Sequence, residues 1–194
     1  NAERFRKLSL ELGGKNPTIV FADADFDAAV NGAVRAAFTN QGQICLCGSR
    51  ILVQASIYDR FKQAFLDRVA GLSVGDPVSV DSDLGAVVSR EHFDKVMGCI
   101  DQARAEGGTI LCGGEPVRVP GRCAEGWFVA PTVIEGLGPA CRTNQDEIFG
   151  PVASLLPFDD EAHAVALAND SRYGLAASLW TRDIQRGHRV ATAL

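Results

Sequence analysis

A chain of 194 residues is long enough to close one sizeable hydrophobic core. With 46% hydrophobic and 22% charged residues, it has the balance of an ordinary globular protein, which excludes a disordered or fibrous chain. The net charge of −5 argues against a nucleic-acid or anionic-membrane surface, and no apolar run is long enough to span a bilayer.

Taken in chain order, residues 18–22 (TIVFA) predict a buried strand. Asp25 is placed to cap a helix in which Phe26, Val30, Ala33 and Ala37 recur at three- and four-residue spacing. That helix runs towards NQGQICLCGSR, residues 40–50, and RILVQ, residues 50–54, is the next strand. Ser56 is the expected cap of a second helix, with Ile57, Phe61, Phe65 and Val69 as its apolar stripe. Residues 72–85 carry Gly, Pro, Asp and Ser and read as loop. Ser89 opens a third helix, marked by Phe93, Val96, Met97 and Ile100 and stopped by Gly107 and Gly108.

TILCGG is a strand running into a turn, and EPVRVPGRCAEG is irregular. WFVAPTVIEG is extended, with Pro131 favouring an edge position or a break. VASLLPF is a strand, and a helix from Asp159 and Asp160 runs through Ala168. Residues 175–181 (LAASLWT) are the last strand, and Asp183 begins the last helix. This alternation predicts an α/β fold: an open, largely parallel twisted sheet with helices on both faces. No repeat or linker interrupts it, so residues 1–194 are expected to be a single domain. The sequence starts without Met and ends inside a predicted helix, which suggests a domain taken from a longer protein.

The six cysteines are expected to be reduced thiols, because the chain is large and apolar and shows no secretory signal; a cytoplasmic location follows as the expectation. A metal site is not expected. Cys45 and Cys47 are the one close pair, and His92, His163 and His188 are scattered.

Three stretches could carry chemistry. Cys45 and Cys47 lie in a Gly-flanked turn. Each is a small buried hydrophobe, a nucleophilic thiol, or half of a redox or metal clip. A nucleophile would need a stabilised thiolate and N–H donors for the oxyanion it creates. In LELGGKNP, residues 10–17, Glu11 sits between two leucines. It is either a solvated strand residue or a carboxyl raised by apolar neighbours and able to act as a general base. QDEIFGPV, residues 145–152, is an acidic surface turn, or a carboxylate placed to accept from a sugar diol with Phe149 bracing it.

In this order and spacing, LELGGKNP, NQGQIC and DEIFGPV, together with FVAPTV and YGLAAS, resemble the aldehyde dehydrogenase superfamily over essentially the whole chain. The resemblance implies an NAD- or NADP-dependent oxidation of an aldehyde substrate. Cys45 would be the nucleophile that forms a thiohemiacetal and then a thioester, and its backbone N–H would be half of the oxyanion hole. Glu11 would be the base that activates water, which favours hydrolysis to a free acid. Glu147 would bind the nicotinamide ribose, with Phe149 near the ring and Lys95, a turn after His92, at the same ribose. Cys47 matches no fixed role. Asp146 stands where a first Glu is usual.

The resemblance further implies a thiol-bearing catalytic domain whose cofactor-binding domain and C-terminal segment are absent from this sequence. It also implies a homo-oligomer in the full-length parent. Alone, the chain would bind NAD weakly or act as an inert folding or interaction module, since no G-x-G-x-x-G turn occurs. QICLCGSR and KLSLELGGKNP look most like the 2-aminomuconic or 2-hydroxymuconic semialdehyde dehydrogenases. Betaine-aldehyde and general aliphatic relatives stay open.

Overall fold

A computed structural model describes residues 4–5 and 7–194. Its centre is a six-stranded sheet built from β1 (Pro17–Val20), β2 (Arg50–Gln54), β3 (Thr109–Cys112), β6 (Thr132–Glu135), β7 (Val152–Phe158) and β8 (Ser178–Trp180), in the order β3-β6-β7-β2-β1-β8. Every pairing is parallel except that of the edge strand β3 with β6. A small antiparallel pair, β4 (Pro116–Val117) and β5 (Phe128–Val129), stands apart.

Successive strand residues point to opposite faces, and both faces are apolar. Val20, Ile51, Val53, Ala153 and Leu155 pack against α1 (Phe26–Phe38) and α2 (Tyr58–Ala70). Their neighbours Ile19, Leu52, Leu156 and Phe158 pack against α5 (Glu161–Asn169) and α6 (Ile184–Ala193). Further along that face, Ile134 and Val152 meet Val96, Ile100 and Ala103 of α3 (Arg90–Ala105). Near-continuous apolar strands are what a doubly covered parallel sheet requires, and the expected α/β architecture is the one observed.

The caps explain most helix starts. Asp25, Ser89, Asp160 and Asp183 each accept from a backbone N–H in the first turn of α1, α3, α5 and α6. Ser56 does not cap. Residues Ala55–Ile57 form a 3₁₀ turn and α2 starts at Tyr58 with no side-chain cap, so Ile57 lies ahead of the stripe of Phe61, Phe65 and Val69. Pro131 falls at the break between β5 and β6; β6 itself is an interior strand. The last strand is shorter than expected, because Ala176 N–H donates to the Asn16 side chain before the ladder with β1 begins. The four-residue helix α4 (Arg142–Gln145) carries no periodic signal in the sequence.

Arg50, at the start of β2, is 3% exposed. Its guanidinium donates from Nε to the Lys15 carbonyl and from Nη1 and Nη2 to the carbonyls of Leu167 and Ala168, each at 2.8 Å. A cation thus closes the C-terminal end of α5, where free carbonyls concentrate negative potential.

Candidate active site

The turn bearing Cys45 grows out of the end of α1. Asn40, Gln41 and Gly42 are left-handed in succession, with φ of 52°, 56° and 71°. Two of these are not glycine, so side-chain hydrogen bonds must support the path. Asn40 Nδ2 donates to the Gln43 carbonyl at 3.1 Å. Gln41 Oε1 accepts from Gly85 N–H and Gln43 Oε1 accepts from Val88 N–H, which ties the segment to the neighbouring loop. The Asn and Gln residues of NQGQIC therefore build the turn.

Cys47 N–H then donates to the Ile44 carbonyl at 3.0 Å, which places Cys45 and Leu46 at the tip of a tight turn. Cys45 is half-buried, Leu46 is exposed and Cys47 is buried. Burial pushes the Cys47 thiol up, and its Sγ faces the Thr39 carbonyl at 3.9 Å. Cys47 is therefore a packed thiol. Among the described residues no acceptor engages the Cys45 backbone N–H. That donor is free to meet an oxyanion formed beside the thiol.

Asn16 supports the turn from below. It is 3% exposed, and its Nδ2 donates to the carbonyls of Cys45 at 2.7 Å and Cys47 at 3.0 Å. Gly14 packs beneath the same turn: a Cβ there would stand 2.7 Å from the Cys45 carbonyl oxygen. Gly14 N–H also donates to Glu147 Oε1 at 2.9 Å, and a Cβ on Gly13 would stand 2.5 Å from Glu147 Oε2. Gly13 admits the carboxylate where a side chain would exclude it, and Gly14 admits the Cys45 carbonyl and the Asn16 amide in the same way.

Phe149 is left-handed, with φ of 60°. His92 Nε2 lies 2.6 Å from its carbonyl oxygen, and Lys95 Nζ donates to the Glu147 carbonyl at 3.1 Å. A Cβ on Gly42 would run into the Gly150 carbonyl, so the cysteine turn and the Glu147 loop are in direct backbone contact. A cavity of about 10 Å³ remains between them, lined by Gly14, Gly42, Ile44, Cys47, Glu147 and Phe149 among others.

Cys45, Glu147, Phe149 and Lys95 are therefore gathered into one region by a continuous set of contacts. Glu11 is not joined to it by any hydrogen bond among the described residues. It lies on an exposed segment that belongs to no strand or helix, so it is not the strand residue one reading made it, and Leu10 and Leu12 on either side are 69% and 56% exposed. Of the two readings of Glu11, the apolar enclosure is not found among the described residues, because these leucines are exposed rather than packed over it. Asn16 carries a signal that the motif reading passes over: a short polar side chain directly before Pro17 often bonds nearby backbone.

The residues present suit the nicotinamide-ribose end of a dinucleotide. Glu147 offers a half-buried carboxylate with Oε1 fixed by Gly14 N–H, and it lines the same small cavity as Phe149. Among the described residues no group of three or more His, Cys, Asp or Glu could hold a metal ion, and all six cysteines are free. No helix among them is long and apolar enough to cross a membrane.

A family model described as "Aldehyde dehydrogenase family" matches residues 1–194. The 2-aminomuconic semialdehyde dehydrogenase of Danio rerio is 45% identical over 196 residues, which cover 100% of this chain and 40% of that protein. The 4-trimethylaminobutyraldehyde dehydrogenase of Oryzias latipes is 41% identical, covering 100% and 39%. A crystal structure of betaine aldehyde dehydrogenase from Staphylococcus aureus in complex with NAD+ superposes with a TM-score of 0.91 at 45% identity, covering 100% of this chain and 38% of that one. The chain spans about 40% of the length of the curated relatives it matches.

Proposed function

The chain belongs to the aldehyde dehydrogenase family, and on that premise we propose that it is the thiol-bearing catalytic domain, residues 1–194, of a longer NAD(P)-dependent enzyme. That enzyme oxidises an aldehyde to a carboxylic acid. The observation that carries the reading is the meeting of the Cys45 turn, Gly13–Gly14 and the Glu147–Gly150 loop in one place.

In this reading the Cys45 thiolate attacks the aldehyde carbon. The S–C bond forms while the carbonyl electron pair moves to oxygen, where the free Cys45 N–H stabilises it. Bound NAD(P) supplies the acceptor for the hydride whose loss turns this thiohemiacetal into a thioester. Glu147, Phe149 and Lys95 hold the nicotinamide-ribose end. Glu11 takes a proton from water, the resulting hydroxide adds to the thioester carbon, and the C–S bond breaks to release acid and thiolate. The exposed position of Glu11 leaves it reachable by water and by the rest of the longer protein. The phosphate-binding turn belongs to another part of that protein, which functions as a cytoplasmic homo-oligomer.

For the substrate we favour a muconic semialdehyde, supported by the likeness to the 2-aminomuconic semialdehyde dehydrogenases of Danio rerio and Mus musculus. The similarity to 4-trimethylaminobutyraldehyde dehydrogenases supports a trimethylammonium aldehyde as the second choice. The test is full-length Glu11→Gln mixed rapidly with NAD+ and 2-hydroxymuconic semialdehyde or 4-trimethylaminobutyraldehyde. A burst of NADH without turnover is expected. Steady turnover at the wild-type rate with a productive aldehyde would remove Glu11 from the mechanism.

A further inference from the structure

The loop that presents Glu147 and Phe149 holds a strained backbone, since a left-handed φ of 60° is disfavoured for a bulky aromatic residue. One face of α3 grips it. His92 Nε2 stands 2.6 Å from the Phe149 carbonyl, Lys95 Nζ stands 3.1 Å from the Glu147 carbonyl, and Val96 closes on Gly150, where a Cβ would approach it to 2.6 Å. These are positions i, i+3 and i+4 of one helix, so they act on the loop together.

The carbonyl of Phe149 can only accept, so His92 Nε2 must carry a hydrogen. The two rings also meet edge to face, with centroids 6.1 Å apart. Lys95 is more exposed, and its flexible ammonium fixes direction less tightly than a ring nitrogen on a half-buried imidazole. The His92 bond is the one made to the left-handed residue itself.

We propose that His92 is a positioning residue for the cofactor end of the site: its Nε2–H holds the Phe149 carbonyl and so fixes the turn that presents Glu147 and Phe149. The donor, rather than the ring, carries the effect. The proposal rests on the reading of Glu147 and Phe149 as cofactor contacts, and its test is a binding measurement that needs no aldehyde.

NAD+ affinity is measured by calorimetric titration of the full-length protein and its His92→Gln, His92→Phe, His92→Leu and Glu147→Ala variants, each first shown to be folded by near-ultraviolet circular dichroism. Gln keeps an N–H donor, Phe keeps a ring without the donor, and Leu keeps neither. Phe and Leu should weaken NAD+ binding by about tenfold, the effect of one lost hydrogen bond to a confined carbonyl, while Gln stays within about threefold of the wild type. Wild-type affinity in His92→Phe overturns the proposal, as does a loss in His92→Gln equal to that in His92→Phe. If Phe and Leu fail to fold, Gln alone decides: near-wild-type binding supports the donor role and a tenfold loss overturns it. Glu147→Ala at wild-type affinity would overturn the reading of the site itself, whatever the His92 variants show.

Discussion

Asn16 holds Cys45 by its carbonyl: the amide Nδ2 lies 2.7 Å from the Cys45 oxygen and 3.0 Å from that of Cys47, while Oδ1 accepts from Ala176 N–H at 3.1 Å. One buried amide therefore joins the start of β1, the cysteine turn and the approach to β8. The Cys45 carbonyl is thus turned inward, and the Cys45 N–H has no acceptor among the described residues.

Replacing Asn16 by Ala should leave three polar groups unpaired and cost about 2–3 kcal/mol in urea unfolding. The Asn16→Asp change should be worse than Asn16→Ala near neutral pH, because a carboxylate would face two carbonyl oxygens that Nδ2 now satisfies. A urea midpoint for Asn16→Asp equal to that of the wild type would contradict the assigned orientation of the amide.

Arg50 anchors α5 to the sheet through two bonds of 2.8 Å to the Leu167 and Ala168 carbonyls, with a third to the Lys15 carbonyl. Arg50→Ala should destabilise by about 3 kcal/mol, since charge-assisted bonds are lost and buried carbonyls stay behind. Arg50→Lys should recover part of this, because one ammonium cannot span the directions that the guanidinium fork covers. Hydrogen exchange should localise the loss to the last turn of α5; uniform protection there in Arg50→Ala would refute the capping role.

Lys15 is 2% exposed, and burial, followed by the neighbouring Arg50 guanidinium, pulls its ammonium down to about 8. Below pH 8 both the folded and the unfolded chain hold this proton, and the cost of burying the charge is fully present. Between about 8 and 10.5 the unfolded chain binds more protons than the folded one, so stability from this group rises with pH. Lys15→Met should therefore be more stable than wild type at pH 7, by on the order of 2–4 kcal/mol. That advantage should shrink by about pH 9.5, inside this window. A gap between the two urea midpoints that does not change with pH would rule this out.

Much of the fold is legible in the sequence for definite reasons. β2 and β7 keep the bounds that RILVQ and VASLLPF suggest, because strands covered on both faces need unbroken apolar runs. Asp25, Ser89 and Asp183 mark helix starts because a short side-chain acceptor there satisfies local N–H groups. Ser56 misleads because the chain leaves β2 through a 3₁₀ turn, and nothing in its local pattern encodes that turn. The candidate site shows in the sequence as three motifs, but their meeting does not. The bonds from Gly14 to Glu147 and from His92 to Phe149 join segments far apart in sequence, and spacing along a chain does not report such contacts. Of the two readings of Glu11, the enclosed one does not hold among the described residues, because flanking leucines indicate burial only when something covers them.

The most direct test of the thiol assignment is aldehyde-dependent NADH formation by the full-length protein and its Cys45→Ala and Cys47→Ala variants. The substrate is whichever of 2-hydroxymuconic semialdehyde and 4-trimethylaminobutyraldehyde the wild type oxidises. Cys45→Ala should lose turnover by at least about four orders of magnitude, as expected when a covalent nucleophile is removed, and Cys47→Ala should keep most of it. Turnover that survives in Cys45→Ala would contradict the account.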